Sequence, residues 1–153
     1  MVISVWDDDY GISVHAKYQT TKENISEILK GFQKGADTNG YEILNVKGWD
    51  YSSLVSTYQK AAKIAREQHV PVLVHVNELT QPQGHSTSGS HERYKNEQRL
   101  SWEQDFDCIK KMREEIILTA VATDEELDAI EKEAKKTARE AKAAAWKDYL
   151  GGI

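Results

Sequence analysis

The chain has 153 residues, 39% hydrophobic and 29% charged, with a formal net charge of −5 and a pI near 5.6. That acidic balance argues against general affinity for nucleic acid or for an anionic membrane surface, and the longest apolar run, 70–76, is too short to span a bilayer. The single cysteine, Cys108, excludes an internal disulfide and a zinc constellation, and points to a reducing, cytoplasmic compartment.

The chain opens on Val2-Ile3-Ser4-Val5-Trp6, which reads as a buried strand, with no secretory signal before it. A domain rarely begins inside a central strand, so an upstream half of a longer parent is expected. Asp7-Asp8-Asp9, with Tyr10-Gly11 behind it, cannot be a strand interior and forms a loop at the strand's carboxyl end. Thr20 to Glu23 has the pattern of a capping box, with Thr20 as the cap, ahead of a helix carrying Ile25, Ile28, Leu29 and Phe32 on one face.

Residues 41–46 predict a second strand. Asp50 then caps a helix whose apolar face is Leu54, Tyr58, Ala61, Ala62 and Ala65, ending near Gln68 ahead of Pro71. The Val/Leu run of 70–76 predicts a third strand, buried on both faces as in a parallel sheet. Residues 80–91 are small, polar and Gly-containing, and predict a mobile loop. Helices are expected over 97–102 and 105–118, the second with Cys108, Met112, Ile116 and Ile117 on its apolar face. A capping box at Thr123 to Glu126 starts a long helix that Gly151-Gly152 stops. Its small-residue stripe suits packing on another surface.

Strand, helix, strand, helix, strand is an α/β order with parallel pairing. Ligands of such sheets bind beyond the carboxyl ends of the strands. There, the aspartate cluster and the loop after the third strand share one edge. Asp7, Asp8 and Asp9 could hold a hard cation, although a solvated acidic turn is the commoner use of such a cluster. His85 could bond a phosphate or act near a carbonyl, although alone it reads as an exposed loop histidine. His75, alternating into a sheet face, reads as a packed histidine, and Cys108 as a core residue. The four tryptophans read as packing residues, Trp146 at an interface. No phosphate loop of nucleotide-binding type and no nucleophile elbow is present.

Two segments, taken together, resemble the alpha subunit (or alpha part of a fused chain) of the thiamine-diphosphate-dependent 2-oxoacid dehydrogenases, in its C-terminal portion. The first is Val2-Ile3-Ser4-Val5-Trp6-Asp7-Asp8-Asp9-Tyr10-Gly11-Ile12-Ser13, similar to the end of that family's cofactor motif. The second is Gly84-His85-Ser86-Thr87-Ser88 with Tyr94-Lys95-Asn96-Glu97 and Trp102, similar to the loop that closes over the cofactor. The order of the segments between them matches as well.

The resemblance implies a partial thiamine-diphosphate-binding fold: an α/β domain with a mostly parallel sheet flanked by helices over 1–120, and a C-terminal helical arm or connector over 121–153. It implies thiamine diphosphate and Mg as cofactors of the complete enzyme. Asp8 and the Tyr10 carbonyl would be metal ligands, Tyr10, Ile12, Gly84, His85 and Ser86 would be cofactor-binding, and His85 would be catalytic. The implied reaction is oxidative decarboxylation of a 2-oxoacid (branched-chain, pyruvate or similar) with acyl transfer to lipoyl. The implied partners are a beta part and a lipoyl acyltransferase in an oligomer, with no nucleic acid and no membrane. Ser86 matches a serine phosphorylated in some animal relatives.

This chain departs from the family pattern at Gln81, where relatives carry an arginine, at Lys95 for arginine, and at Gly89 for aspartate. The Gly-Asp-Gly element that begins the cofactor motif is absent from it. The chain alone is therefore expected to show no turnover and weak or no cofactor binding. A non-catalytic α/β interaction module with a Ser-rich loop, and a transketolase-like enzyme, are the competing readings.

Overall fold

The computed structural model describes residues 1–85 and 90–152. Two compact units form, Met1–Met112 and Arg113–Ile153. Among the described residues no helix is long and apolar enough to cross a membrane.

The first unit is built on a parallel sheet of strands β1 (Val2–Trp6), β4 (Glu42–Lys47) and β5 (Val72–Asn77), in the order β1-β5-β4. Between β1 and β4 lie a small hairpin, β2 (Tyr10–Gly11) with β3 (Val14–His15), and the short helices α1 (Ala16–Gln19) and α2 (Ile25–Leu29). Helix α3 (Tyr51–Lys63) connects β4 to β5. Strand β5 is buried from Val72 to Val76 because it is paired on both sides and covered on both faces, as its unbroken apolar run predicts.

Period-2 alternation sorts the two faces of this sheet. Val72, Val74 and Val76 pack with Val46 and Ala61 into the core, against Leu54, Tyr58 and Ile64 of the α3 side. Leu73 and His75 point to the other face, where Ile3, Val5, Ile43, Leu29 and Phe32 line an apolar groove of about 320 Å³. Burying a valine side chain stabilises by about 1.5–3 kcal/mol, so the three β5 valines dominate this small core.

Three expectations change. Strand β1 is not buried: among the described residues it pairs with β5 alone, and Val2 and Trp6 are exposed. The helix over 25–32 is not capped by Thr20, whose side chain makes no capping bond. Lys22 and Glu23 take φ of 57° and 61°, which breaks the chain there, and Asn24 caps α2 instead, accepting from the Glu27 amide at 3.1 Å. The two helices expected over 97–102 and 105–118 are both present, as α4 (Glu97–Asp105) and α5 (Cys108–Leu118), with the break between them moved to Phe106 and Asp107. Asp50 caps α3 as expected, accepting from the Ser53 amide at 2.9 Å, and α3 continues in a π turn to His69, whose left-handed φ of 55° ends it ahead of Pro71.

The second unit carries α6 (Asp124–Gly151), opened by the expected capping box of Thr123 and Glu126. Arg113 pairs with Asp124 and, at 2.7 Å, with Asp128. These hydrogen bonds raise the guanidinium's pKa from its ordinary value.

Candidate functional site

Strands β1 and β5 run parallel with Trp6 beside Val76, so their carboxyl ends meet at one edge. The backbone ties the loops that follow them. The Asp7 amide donates to the Val76 carbonyl at 2.8 Å, and the Leu79 amide donates to the Asp7 carbonyl at 3.2 Å. The aspartate turn and the root of the second loop are therefore side by side.

The three aspartates have different partners. Asp7 Oδ2 lies 2.9 Å from His75 Nε2, and its Oδ1 accepts from the Asp9 amide at 2.9 Å. Asp9 Oδ2 is paired with the Arg99 guanidinium. Asp8 uses one oxygen, Oδ1, to accept from the Tyr10 amide at 3.1 Å. Its other oxygen has no hydrogen-bond or ion-pair partner among the described residues. The turn is thus pinned from both sides by His75 and Arg99, while among the described residues the Asp8 carboxylate between them has neither a histidine nor an arginine partner.

The hairpin behind the turn aligns a second oxygen with it. The Ala16 amide donates to the Asp9 carbonyl at 2.7 Å, so Asp9 and Ala16 form a hydrogen-bonded pair. By the alternation of antiparallel ladders, the next pair, Tyr10 with His15, is non-hydrogen-bonded. The N–H and C=O of Tyr10 then face away from β3, on the side where its N–H already meets Asp8. Ile12 sits in the two-residue hairpin loop with φ of 61°, a place that favours glycine, and is largely exposed. A β-branched residue there is strained by about 1–2 kcal/mol.

Helix α4 packs against the turn through charge. Asn96 caps it, accepting from the Arg99 amide at 2.8 Å. Buried Lys95 donates to both oxygens of buried Glu103, at 2.7 and 2.9 Å. Arg99 donates from Nε to Glu103 at 2.8 Å and from Nη2 to the Asp8 carbonyl at 2.8 Å. Burial works against the Arg99 charge, but the bonds to Glu103 and Asp9 outweigh it, and its pKa is raised. Tyr10 stands between these cations, with Lys95 Nζ 5.1 Å and Arg99 5.4 Å from its ring, and the rings of His15 and Tyr94 at 5.0 and 5.7 Å. Burial raises the Tyr10 pKa from 10.0, against the opposing field of Arg99.

The second loop is anchored at its start. Glu78, at a left-handed φ of 53°, accepts from Trp49 Nε1 at 2.9 Å and pairs with Lys47 at 3.2 Å. Further on, Gly84 is half-buried and His85 is exposed. Ser86 lies outside the described residues. Among the described residues, Gln81 Oε1, His91 Nδ1 and Tyr94 Oη near the loop are buried without a hydrogen-bond partner. Buried orphans of this kind mark places where a partner is missing. The groove of about 510 Å³ between Pro82 and Lys110 includes Glu92, Glu103 and Asp107, a lining that opposes a diphosphate.

Among the described residues no cluster of three or more His, Cys, Asp or Glu could enclose a metal ion. The oxygens that are available, the Asp8 carboxylate and the Tyr10 carbonyl, instead suit a hard cation that takes most of its shell from water and phosphate, as Mg²⁺ does. The residues that sequence reasoning missed are Arg99, Glu103, Ser26 and Asn45. Ser26 Oγ lies 2.8 Å from His75 Nδ1 and donates to Asn45 Oδ1 at 2.8 Å. The available signal was parity. His75 is in register with Val5 and Asn45, and Asp7 is the next residue on the same face of the neighbouring strand.

A family model described as Dehydrogenase E1 component matches residues 1–150. No curated protein matches the chain.

Proposed function

The chain belongs to the dehydrogenase E1 component family, and on that premise we propose that it supplies one part of the metal–diphosphate site of a 2-oxoacid dehydrogenase. The family is thiamine-diphosphate dependent, and the resemblance lies in its alpha part.

The proposed reaction is oxidative decarboxylation of a 2-oxoacid with transfer of the acyl unit to lipoyl. When bound, thiamine diphosphate supplies the nucleophilic carbon and the electron sink for loss of carbon dioxide. The chain's own residues bind and orient. Asp8 offers a carboxylate oxygen to Mg²⁺, and Tyr10 offers its carbonyl from the same side. Asp8 replaces the family's asparagine, so it keeps the oxygen donor and adds a negative charge. Ile12 meets the cofactor from the strained hairpin tip. Gly84 would permit close backbone approach, His85 would donate to the diphosphate or to the reacting carbonyl, and Ser86 is assigned to cofactor binding by the resemblance alone. A phosphate on Ser86 would repel the diphosphate.

On this reading the rest of the site is supplied by other parts of the enzyme. The beta part, the lipoyl acyltransferase and an oligomer are the proposed partners. Strand β1, open on one side, has apolar grooves on both faces, one lined by Ile3 and Val5 and the other by Trp6 and Tyr58, which supports a partner there. Residues 121–153 would be an arm or connector. A match over 1–150 favours this reading over a non-catalytic interaction module.

The observation that carries the proposal is the sorting of the aspartates: Asp7 pairs with His75 and Asp9 with Arg99, and among the described residues Asp8 alone of the three has no histidine or arginine on its carboxylate. Calorimetric titration of Mg²⁺ and thiamine diphosphate into the complete E1 assembly tests it. Asp8→Ala is expected to weaken Mg²⁺ binding at least about tenfold; unchanged binding would refute the assignment.

A further inference from the structure

His75 is fully buried in the middle of a strand otherwise made of valine and leucine. An imidazole there is costly unless both ring nitrogens are satisfied. Both are, by side chains from different elements: Ser26 of α2 at Nδ1, and Asp7 from the end of β1 at Nε2. Ser26 is in turn held by Asn45 of β4. Amide oxygen and nitrogen exchange places by a simple flip. With the Asn45 amide donating to Ser26, and Ser26 donating to Nδ1, a ring with its single hydrogen on Nε2 donates that hydrogen to Asp7 and satisfies the whole chain of contacts.

Asp7 carries the effect onward. With Oδ2 fixed by His75, its Oδ1 accepts from the amide of Asp9, the residue with a left-handed φ of 66° that closes the turn. Asp8 lies between the two. Its side chain is aimed by the turn alone, since among the described residues only the Tyr10 amide holds its carboxylate.

We propose that His75 is a positioning residue for the metal site, acting through Asp7 to fix the turn that presents Asp8. The proposal rests on the reading of Asp8 as a metal ligand. His75 touches neither metal nor substrate. Second partners of this kind tune metal affinity by orienting the ligands. Here the orienting group reaches the ligand through one residue of backbone, so the sheet interior and the metal rim are one unit.

Two substitutions separate a positioning role from a packing role. His75→Gln places an amide N–H near the former Nε2 and keeps the donor to Asp7. His75→Asn keeps a polar group near Nδ1 and loses that donor. Both should lower the melting temperature of the 153-residue chain. The probe is Mn²⁺, titrated while line broadening is followed at the Asp8, Asp9 and Tyr10 amides by NMR, together with hydrogen exchange of the Asp9 amide. His75→Gln is expected to behave as the wild type. His75→Asn is expected to need about tenfold more Mn²⁺ and to lose about tenfold in Asp9 protection. Asp7→Glu keeps the charge but cannot span both contacts, and is expected to match His75→Asn. Wild-type Mn²⁺ response in His75→Asn overturns the proposal. So does wild-type response in Asp7→Glu, whether or not the His75 variants fold. Asp8→Ala separates the two readings: broadening unchanged by it removes the metal assignment and this proposal with it, whereas broadening lost in Asp8→Ala but kept in His75→Asn removes this proposal alone.

Discussion

Arg99 reaches back 90 residues to pair with Asp9, and the same guanidinium donates to the Asp8 carbonyl at 2.8 Å. One side chain thus joins α4 to the aspartate turn. Arg99 thereby brings a guanidinium to this edge from the helix that follows the second loop. Replacing Arg99 by methionine leaves buried Glu103 with Lys95 alone and frees Asp9. The expected cost is about 2–3 kcal/mol, the worth of charged hydrogen bonds, read by urea denaturation. Arg99→Lys should recover less than half of it, because an ammonium cannot reproduce the fork.

Relieving the hairpin tip should stabilise the fold. Ile12→Gly removes the strain of a β-branched residue at φ of 61°, and the largely exposed side chain gives up little burial. A net gain of up to about 1 kcal/mol is expected after the entropy that glycine adds to the unfolded chain. The melting temperature should rise by a few degrees, while cofactor affinity of the complete assembly falls.

Tyr10 gives a pH signature with a definite sign. Its folded pKa is raised above 10.0 by burial, so the folded state holds the phenol proton more tightly than the unfolded chain. The resulting stability is fully present below pH 10 and is lost as pH rises through the folded pKa. Melting curves between pH 8 and 11, a range chosen about that ordinary value, should show an alkaline decline that is shallower in Tyr10→Phe.

Gly48 lets the second loop leave the sheet. A Cβ there would stand 2.3 Å from Leu79 Cδ2 and 2.8 Å from Leu79 Cγ, and Leu79 packs on the core. Gly48→Ala should therefore cost about 1–3 kcal/mol, as overpacking does, measured by thermal unfolding.

The sheet was legible because its signals are local. The Val/Leu run of β5, the Asp50 cap and the Thr123–Glu126 capping box each depend on residues a few positions apart. The Thr20 cap failed because a capping-box pattern does not reveal that Lys22 and Glu23 turn left-handed. For the site, Asp8, Tyr10 and Ile12 came from motif order, and the structure shows what surrounds them. What the sequence did not show were contacts across long separations: Arg99 with Asp9, and Ser26 with His75. Each joins residues from separate elements, and no local period records such a meeting. Strand β1 reads as buried, and is not, because five apolar-rich residues look alike at an open edge and under a cover.

The most direct test is the position of the metal. A structure of the complete E1 assembly with thiamine diphosphate and Mg²⁺ should place the cation about 2.1 Å from an Asp8 carboxylate oxygen and from the Tyr10 carbonyl, with Gly84 and His85 over the diphosphate. A cation bound elsewhere, with Asp8 out of reach and His85 turned away from the cofactor, would contradict the account.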